Sequence, residues 1–332
     1  MDKLAVLIDH DGALLEPEGW EAGYLAQYDI GWQVYRCRSE DEVLRVAANA
    51  QVIIIQTTVP LLTMNVLSRL PNCLCTVRAG AGYDSIDYTS ATELGIMVCY
   101  TPTYCTDEVA DHAVTLLLAA NRHVSRLDSG VRAGAFNRHL AAPTEGLRGA
   151  TIGIIGLGRI GSAFARRLQG WQPRLLAYDP YISQEYAEQY GVMLVSLDEL
   201  LREADALSVH CPLTPETTHL LGWEQFRKIK PGVVLVNTAR GPIIDEAALV
   251  QAIKDNIVRA AGLDVFEQEP LPADSPLIQL DRVVLTPHIS ATSTQARHKL
   301  YQLICDLIVD VFAHKQPPFL VNPAVMQHPR QR

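Results

Sequence analysis

The sequence is 332 residues long, with 48% hydrophobic and 20% charged residues and a formal net charge of −9. A chain of this length predicts two domains, and its composition is that of an ordinary globular protein. The acidic surplus, without a cluster of Lys and Arg, argues against nucleic acid and against an anionic membrane surface as partners.

The chain begins with an apolar strand, Leu4–Ile8, that runs into the acidic turn Asp9-His-Asp11-Gly12. Two carboxylates after a strand resemble the first motif of haloacid-dehalogenase-type phosphatases. However, Ala13 stands near where that family usually has a small hydroxyl residue or Val, and the following sequence does not continue its pattern. A strand followed by an acidic turn is the simpler interpretation. Magnesium-dependent phosphate release would revive the phosphatase alternative.

Strand-like and helix-like stretches alternate through the first hundred residues, which predicts an α/β unit with a mostly parallel sheet. The predicted strands are Leu4–Ile8, Val52–Gln56, Cys75–Ala79 and Ile96–Cys99. The predicted helices are Asp41–Asn49 and Val66–Leu70. A long helix follows from about Thr106 to Asn121, with Thr106 as its expected N-cap and Asp107 and Glu108 in its first turn.

The run from Thr151 to Gly161 carries the most informative pattern, an apolar strand leading into Gly-x-Gly-x-x-Gly and then a helix. Gly156 allows the tight turn, Gly158 lets the backbone approach a pyrophosphate, and Gly161 lets the helix pack closely on the strand. The helix amino terminus then offers N–H groups to the phosphates. Asp179 ends the next strand, 18 residues after Gly161, where a carboxylate binds the ribose of NAD and repels the 2′-phosphate of NADP. The pattern predicts NAD as the cofactor.

Six strands separated by helices are predicted in this second array, which matches a doubly wound dinucleotide domain. They are 151–156, 175–179, 206–210, 233–237, 260–264 and 283–286. An amphipathic helix from about Thr294 to Ala313 exceeds what this array needs, so we expect the chain to return to the first domain. The expected domains are a discontinuous, flavodoxin-like substrate domain (1–101 plus 290–332) and an NAD-binding Rossmann domain (102–289), with the active site in the cleft between them.

Ionisable residues follow successive strands of the second array: Arg240, Asp264 with Glu269, and His288. Ligands of open α/β sheets bind outside those strand ends. Hydride transfer to a keto acid needs a cation for the substrate carboxylate and carbonyl, a proton donor, and a carboxylate that orients the donor. Arg240, His288 and Glu269 would supply these in that order. Each residue alone is more often a surface charge, and the adjacent Glu267 could point inward instead.

Together these segments resemble the D-isomer-specific 2-hydroxyacid dehydrogenase family. The matching segments are 156–161, 206–214, 237–245, 263–270 and 285–288. The resemblance implies an NAD-dependent oxidoreductase that interconverts a small 2-keto acid and its (R)-2-hydroxy acid. It assigns the catalytic roles to Arg240, Glu269 and His288, and it favours Glu269 over Glu267 because the family's glutamate directly precedes a proline.

The resemblance also implies the cofactor and substrate contacts. The cofactor residues are expected to be Gly156, Gly158, Arg159, Ile160, Gly161, Asp179, His210, Cys211, Pro212, Thr238, Ala239 and Asp264, the last on the nicotinamide carboxamide. In the first domain, Arg78-Ala-Gly-Ala-Gly82 is similar to the family's substrate loop, where amides near Ala81 and Gly82 would hold the substrate carboxylate together with Arg240. A plain Gly-rich turn is the alternative for this loop.

The resemblance also implies a homodimer, and it leaves two other functions open. Corepressors with this fold bind NAD and act through partners, and phosphite dehydrogenases share the fold as well. Formate dehydrogenases typically carry Gln where this chain has Glu269, which argues against them.

Cysteine spacing bears on the compartment and on metals. The number of cysteines, seven, is odd, and the sequence contains no Cys-x-x-Cys motif. Both features favour reduced thiols over a disulfide framework. No spacing resembles a zinc site, so no metal is expected. The acid at Asp9 argues against a signal peptide, and the apolar stretch Ala113–Ala120 is too short to span a membrane. We therefore expect a cytoplasmic protein.

Overall fold

The structure is a computed structural model that describes residues 3–9, 16–140 and 144–330. The chain folds into two compact units, one formed by Met1–Cys105 and Thr292–Arg332, the other by Thr106–Ala291. Asp11 and Ala13, which belong to the phosphatase-like motif, lie outside the described residues.

The first unit contains a five-stranded parallel sheet in the order β2-β1-β3-β4-β5, the order of flavodoxin-like folds. Its strands are β1 (Lys3–Leu7), β2 (Ile30–Val34), β3 (Val52–Ile55), β4 (Cys75–Arg78) and β5 (Met97–Tyr100). Its helices are α1 (Glu21–Ala26), α2 (Glu40–Val46), α3 (Met64–Leu67), α4 (Tyr88–Glu93) and α12 (Thr294–Phe312), with a 3₁₀ turn at Pro323–Gln327. Strands β3 and β4 are buried at every position, as expected for parallel strands covered on both faces.

Asp9 has a structural role at the end of β1. Its carboxylate is completely buried and accepts hydrogen bonds from the amides of Gln56 at 2.7 Å and Thr57 at 2.8 Å. Burial raises the pKa of Asp9, while the two amides and the charges of Arg78 and Arg38 oppose that rise. The carboxylate thus holds the segment that follows β3.

The second unit contains a seven-stranded parallel sheet in the order β12-β11-β10-β9-β6-β7-β8, the doubly wound order of nucleotide-binding folds. Its strands are β6 (Thr151–Ile155), β7 (Arg174–Tyr178), β8 (Val192–Leu194), β9 (Ala206–Val209), β10 (Val233–Asn237), β11 (Val258–Leu263) and β12 (Val283–Leu285). Its helices are α5 (Thr106–Asn121), α6 (Val124–Arg132), α7 (Arg159–Leu168), α8 (Gln184–Glu188), α9 (Leu197–Glu203), α10 (Trp223–Phe226) and α11 (Glu246–Lys254). Short 3₁₀ turns lie at Arg138–Leu140, Gln169–Trp171, Gly241–Ile243 and Pro276–Gln279.

All six strands predicted for this unit are present, and β8 is a seventh that the sequence analysis missed. The prediction of α5 was right in extent, but Thr106 is the first helical residue rather than the N-cap. The long C-terminal helix α12 runs one residue short of its predicted end.

The strand register brings the candidate site residues to one edge of the second sheet. Val209 lies opposite Ile155 and Asn237, Asn237 lies opposite Leu263, and Leu263 lies opposite Leu285. The residues that come next in sequence therefore collect at the carboxyl edge, where open α/β sheets bind ligands.

Three further observations concern membranes, metals and disulfides. Within the described ranges, no helix is both long enough and apolar enough to cross a bilayer. The same residues contain no group of three His, Cys, Asp or Glu side chains that could hold a metal ion. The seven cysteines, all of them described, form no disulfide.

Candidate active site

The glycine-rich loop between β6 and α7 has the form that a dinucleotide phosphate needs. Gly156 has φ +92°, and a Cβ there would lie 2.6 Å from the Cys211 amide nitrogen. A Cβ on Gly161 would collide with the carbonyl oxygen of Gly156. Gly158 is the N-cap of α7, and a Cβ there would meet nothing within 4 Å. The chain's own packing requires Gly156 and Gly161, whereas Gly158 borders open space at the helix amino terminus, which suits a pyrophosphate.

Asp179 links the end of β7 to this loop. One carboxylate oxygen accepts a hydrogen bond from the Leu157 amide at 2.8 Å, and the other accepts one from the Tyr181 amide at 2.9 Å. Each oxygen retains acceptor capacity, since a carboxylate offers about four lone-pair sites. Asp179 is therefore positioned by the loop and can still accept ribose hydroxyls.

His288 and Glu269 form a close pair. Glu269 Oε2 lies 2.6 Å from His288 Nδ1, and Oε1 accepts a hydrogen bond from the Phe266 amide at 3.0 Å. Burial alone would raise the pKa of Glu269, but the bond and charge of His288, the Phe266 amide and the Arg240 guanidinium together lower it. The carboxylate is thus ionised at neutral pH and orients the imidazole.

Glu267, the alternative left open by the sequence, faces another partner. Its Oε1 lies 2.8 Å from His219 Nε2 and accepts a longer bond, 3.4 Å, from the Glu246 amide. Of the two neighbouring glutamates, Glu269 is the one that contacts His288.

Asp264 holds the turn on which His288 lies. The residue is completely buried, and its carboxylate accepts hydrogen bonds from Thr286 Oγ1 at 2.6 Å and from the Ile289 and Ser290 amides, both at 2.9 Å. Its own carbonyl accepts a bond from the His288 amide at 2.8 Å. This role in positioning His288 was not foreseen from the sequence, and a contact of Asp264 with nicotinamide stays a prediction.

The loop that carries Arg240 is fixed by two residues that sequence reasoning missed. The buried side chain of Asn237 donates to the Arg240 carbonyl at 2.9 Å and accepts from the Ala239 amide at 3.0 Å. A Cβ on Gly241 would collide with the carbonyl carbon of Phe266. The Arg240 loop therefore lies directly against the segment that leads into Glu269. The sequence signal for this arrangement was Asn237 at the end of an apolar strand, together with Gly241 directly after Arg240.

His210 and Cys211 are not acid–base groups. Burial lowers the pKa of His210 to about 3, and its ring packs 5.0 Å from that of Phe164. Burial raises the pKa of Cys211 to about 12. Among the described residues, His210 Nδ1 and Thr238 Oγ1 are buried polar atoms without a hydrogen-bond partner. Such atoms suit a polar ligand at this edge, so a cofactor-lining role fits them.

The candidate substrate loop belongs to the first unit and follows β4. Arg78 is buried there and donates to the Ala79 carbonyl, while the Thr101 amide donates to the Gly80 carbonyl at 3.1 Å. A Cβ on Gly80 would collide with the Arg78 guanidinium. Ala81 and Gly82 follow on this braced segment and are half-buried.

Known proteins resemble this chain over most of its length. A family model described as D-isomer specific 2-hydroxyacid dehydrogenase, NAD binding domain, matches residues 114–290. A D-3-phosphoglycerate dehydrogenase of Archaeoglobus fulgidus is 41% identical over 297 residues, which cover 89% of this chain and 56% of that protein. A glyoxylate reductase of Korarchaeum cryptofilum is 40% identical over 265 residues, covering 79% of this chain and 80% of that protein.

A solved structure agrees with these sequence matches. That of a glyoxylate reductase from Paecilomyes thermophila aligns with a TM-score of 0.87 at 28% identity, covering 96% of this chain and 98% of that one. The chain spans only about half the length of the phosphoglycerate dehydrogenases that it matches.

Proposed function

Because this chain belongs to the D-isomer-specific 2-hydroxyacid dehydrogenase family, we propose that it is an NAD-dependent oxidoreductase that interconverts a small 2-keto acid and its (R)-2-hydroxy acid. The observation that carries the proposal is the 2.6 Å contact of His288 with Glu269, a carboxylate whose ionisation Arg240 also favours. These residues follow β10, β11 and β12, at the carboxyl edge of a nucleotide-type sheet.

Each residue of the trio has a separate task in this reaction. The nicotinamide cofactor supplies or accepts the hydride. Arg240 binds the substrate carboxylate and polarises the carbonyl with its planar donors. Since Nδ1 of His288 faces Glu269, Nε2 gives the proton to the carbonyl oxygen in reduction and takes it from the hydroxyl in oxidation. A contact of the Ala81 and Gly82 amides with a substrate carboxylate stays a prediction from the family resemblance.

The proposal is tested by following NADH oxidation with a panel of 2-keto acids. The panel contains glyoxylate, pyruvate, hydroxypyruvate, oxaloacetate and a branched keto acid. These differ beyond C2, so the best substrate also indicates the size of the pocket. Turnover on one or more members supports a dehydrogenase. Tight NADH binding without turnover on any member would contradict it and would favour a role in binding partners.

Glu269→Gln should shift the acid–base profile of the reaction. The pKa of Glu269 lies below its ordinary value, so the wild-type carboxylate stays charged through the neutral range. Loss of this negative charge destabilises the charged imidazole of His288. The pH above which keto-acid reduction declines should therefore fall by about one unit or more. Rates measured from pH 5 to 9 check this, with Glu267→Gln as the matched control. Equal profiles for both variants would remove Glu269 from its assigned role.

Asp179→Ala should weaken the preference for NADH over NADPH. The substitution removes the charge that repels a 2′-phosphate, and it also removes the acceptor of the Leu157 amide, so KM for NADH should rise. Asp179→Asn separates the two effects, because it removes the charge and keeps an acceptor. The ratio of kcat/KM for the two cofactors is the measurement, and an unaltered ratio in both variants would assign cofactor choice to another residue.

We also propose a homodimer that uses α6. No residue of this helix is buried, and its apolar side chains Val124 and Val131 are 52% and 55% exposed, with Phe136 beyond it at 83%. Apolar side chains aligned on one helix face favour contact with another protein surface. Val131→Asp should convert the dimer to monomer in sedimentation experiments. Ser125→Asp, on the same helix, should not, and a wild-type monomer would contradict the proposal.

A cytoplasmic location is proposed from the thiol chemistry. Six of the seven cysteines are buried and none is in a disulfide, which suits a reducing compartment. Fractionation of cells that express the full-length chain tests this location, and recovery in a secreted fraction would contradict it.

A further inference from the structure

A histidine of α5 contacts the network that holds the His288 turn. His112 Nε2 lies 3.0 Å from Thr286 Oγ1 and 3.6 Å from Asp264 Oδ1. The side chain of His112 is 22% exposed, whereas Asp264 is completely buried. The catalytic trio leaves this histidine without a task, although it lies beside the carboxylate that positions the proton donor.

The direction of the hydrogen bonds shows which nitrogen of His112 carries a proton. A hydroxyl has one proton, and that of Thr286 is donated to the Asp264 carboxylate at 2.6 Å. Thr286 Oγ1 can therefore only accept from the imidazole, so Nε2 of His112 is the donor. The three side chains form a directed series, from imidazole N–H to hydroxyl to carboxylate, which we call the His112 chain.

The His112 chain gives the buried carboxylate a basic neighbour. An ionised carboxylate that is removed from water is costly unless it is paired and hydrogen-bonded. The other donors to Asp264 are neutral, a hydroxyl and two backbone amides. Within the residues that the structure describes, His112 is the one basic side chain in contact with this carboxylate. Its Nε2–H group places the positive end of a dipole beside the negative charge.

Close packing of α5 on β11 determines where His112 lies. A Cβ on Gly262 would lie 2.8 Å from the Cβ of Leu116, so the glycine lets the helix approach the strand closely. Leu116 follows His112 by four residues and therefore lies on the same face of α5. Gly262 is next to last in β11, and Asp264 directly follows that strand. The helix thus brings His112 to the carboxyl edge of the sheet.

The far end of the His112 chain is the turn that carries the proton donor. Asp264 Oδ1 accepts from the Thr286 hydroxyl at 2.6 Å and from the Ile289 amide at 2.9 Å. One oxygen therefore joins the chain to the residue that directly follows His288. The terminal torsion of an aspartate is soft, so the orientation of its carboxylate depends on the donors around it. Without the imidazole, the Thr286 hydroxyl is no longer held in the direction of Asp264.

We propose that His112 is a positioning residue for the proton donor of the reaction. Through Thr286 it fixes the orientation of the Asp264 carboxylate, and the carboxylate in turn fixes the backbone after His288. His112 acts through these residues and is assigned no contact with the substrate. The proposal rests on the proposed dehydrogenase function and adds to it a residue of α5, outside the strand ends that supply the trio.

Steady-state kinetics of the whole chain test the proposal, with saturating NADH and the 2-keto acid that gives the highest rate. His112→Leu removes the donor, and kcat should fall by about two- to tenfold, the range that corresponds to one hydrogen bond. KM for the keto acid should stay near its wild-type value, because Arg240 is unaltered. His112→Gln should recover most of the lost kcat, since its side-chain amide again offers an N–H donor.

A double-mutant comparison separates positioning from a general weakening of the fold. Thr286→Val interrupts the middle of the chain, so adding His112→Leu in that background should reduce kcat little further. Thr115→Val is the matched control, because the Thr115 hydroxyl donates to the Asp111 carbonyl of its own helix. Its kcat should equal that of wild type. A general weakening of the fold would instead give additive losses and no recovery in His112→Gln.

The outcomes distinguish this proposal from the function on which it rests. An active wild type whose kcat is unchanged in His112→Leu would overturn the positioning role alone, and so would equal losses in His112→Leu and His112→Gln. A wild type without turnover on any keto acid would overturn the proposed function and the positioning role together. If His112→Leu does not fold, His112→Asn replaces it, since the shorter side chain draws the donor away from Thr286.

Discussion

Replacing Arg240 with Ala should lower kcat/KM for 2-keto-acid reduction by about 10²- to 10³-fold, the loss seen when one preorganised donor to a developing oxyanion is removed. The guanidinium is assigned two tasks, and both are lost. KM should rise because the carboxylate loses its cation, and kcat should fall because the carbonyl loses its polarising donor. Initial rates of NADH oxidation over a range of substrate concentrations separate the two effects.

Two further variants show whether charge or geometry matters. Arg240→Lys keeps the charge but loses the planar fork, so its rate should lie between those of wild type and Arg240→Ala. Arg227→Ala removes an exposed arginine from the same unit and should leave the kinetics unchanged. A normal KM in Arg240→Ala would contradict substrate binding by this residue.

His288→Asn should reduce kcat/KM by about 10²- to 10⁴-fold, the range that a positioned general acid contributes. Asn is the suitable replacement because His288 has φ +51°, a conformation that Asn tolerates better than most residues. NADH binding, followed by nicotinamide fluorescence, should persist. The loss should then lie in proton transfer and not in cofactor binding.

The chain contains a closely matched control for this variant. His219 also has φ +51°, and it also pairs with a glutamate, at 2.8 Å from Glu267. His219→Asn therefore makes the same chemical and backbone change in the same unit, and its activity should stay close to wild type. Comparable losses in both variants would mean that a general weakening of the fold, rather than proton transfer, explains the effect of His288→Asn.

The sequence predicted most of the second unit because parallel strands buried on both faces are continuous apolar runs. The two strands that it missed, one in each unit, are both at sheet edges. β2 (Ile30–Val34) contains Gly31 and alternates between exposed positions and buried or half-buried ones, and β8 (Val192–Leu194) has only three residues. Such segments form because a neighbouring strand offers them hydrogen bonds, and that neighbour is distant in sequence.

The candidate trio could be predicted from strand ends and residue chemistry, but the contacts that hold the trio in place could not. The bonds of Asn237 to the Arg240 loop and the close approach of Gly241 to Phe266 depend on how two loops meet. The choice between Glu267 and Glu269 likewise depends on side-chain direction after a turn. Local sequence carries little information about such contacts, since two glutamates two positions apart are chemically equivalent until the chain is folded.

The buried carboxylate of Asp264 has a thermodynamic consequence for substrate binding. The donors that it engages, from Thr286 to Ser290, all belong to the turn that carries His288. The conformational entropy of that turn is therefore lost when the chain folds, and not when a substrate arrives. The free energy of substrate binding therefore does not include the cost of ordering the proton donor. In return, any loosening where β11 and β12 end should slow turnover before it lowers the melting temperature.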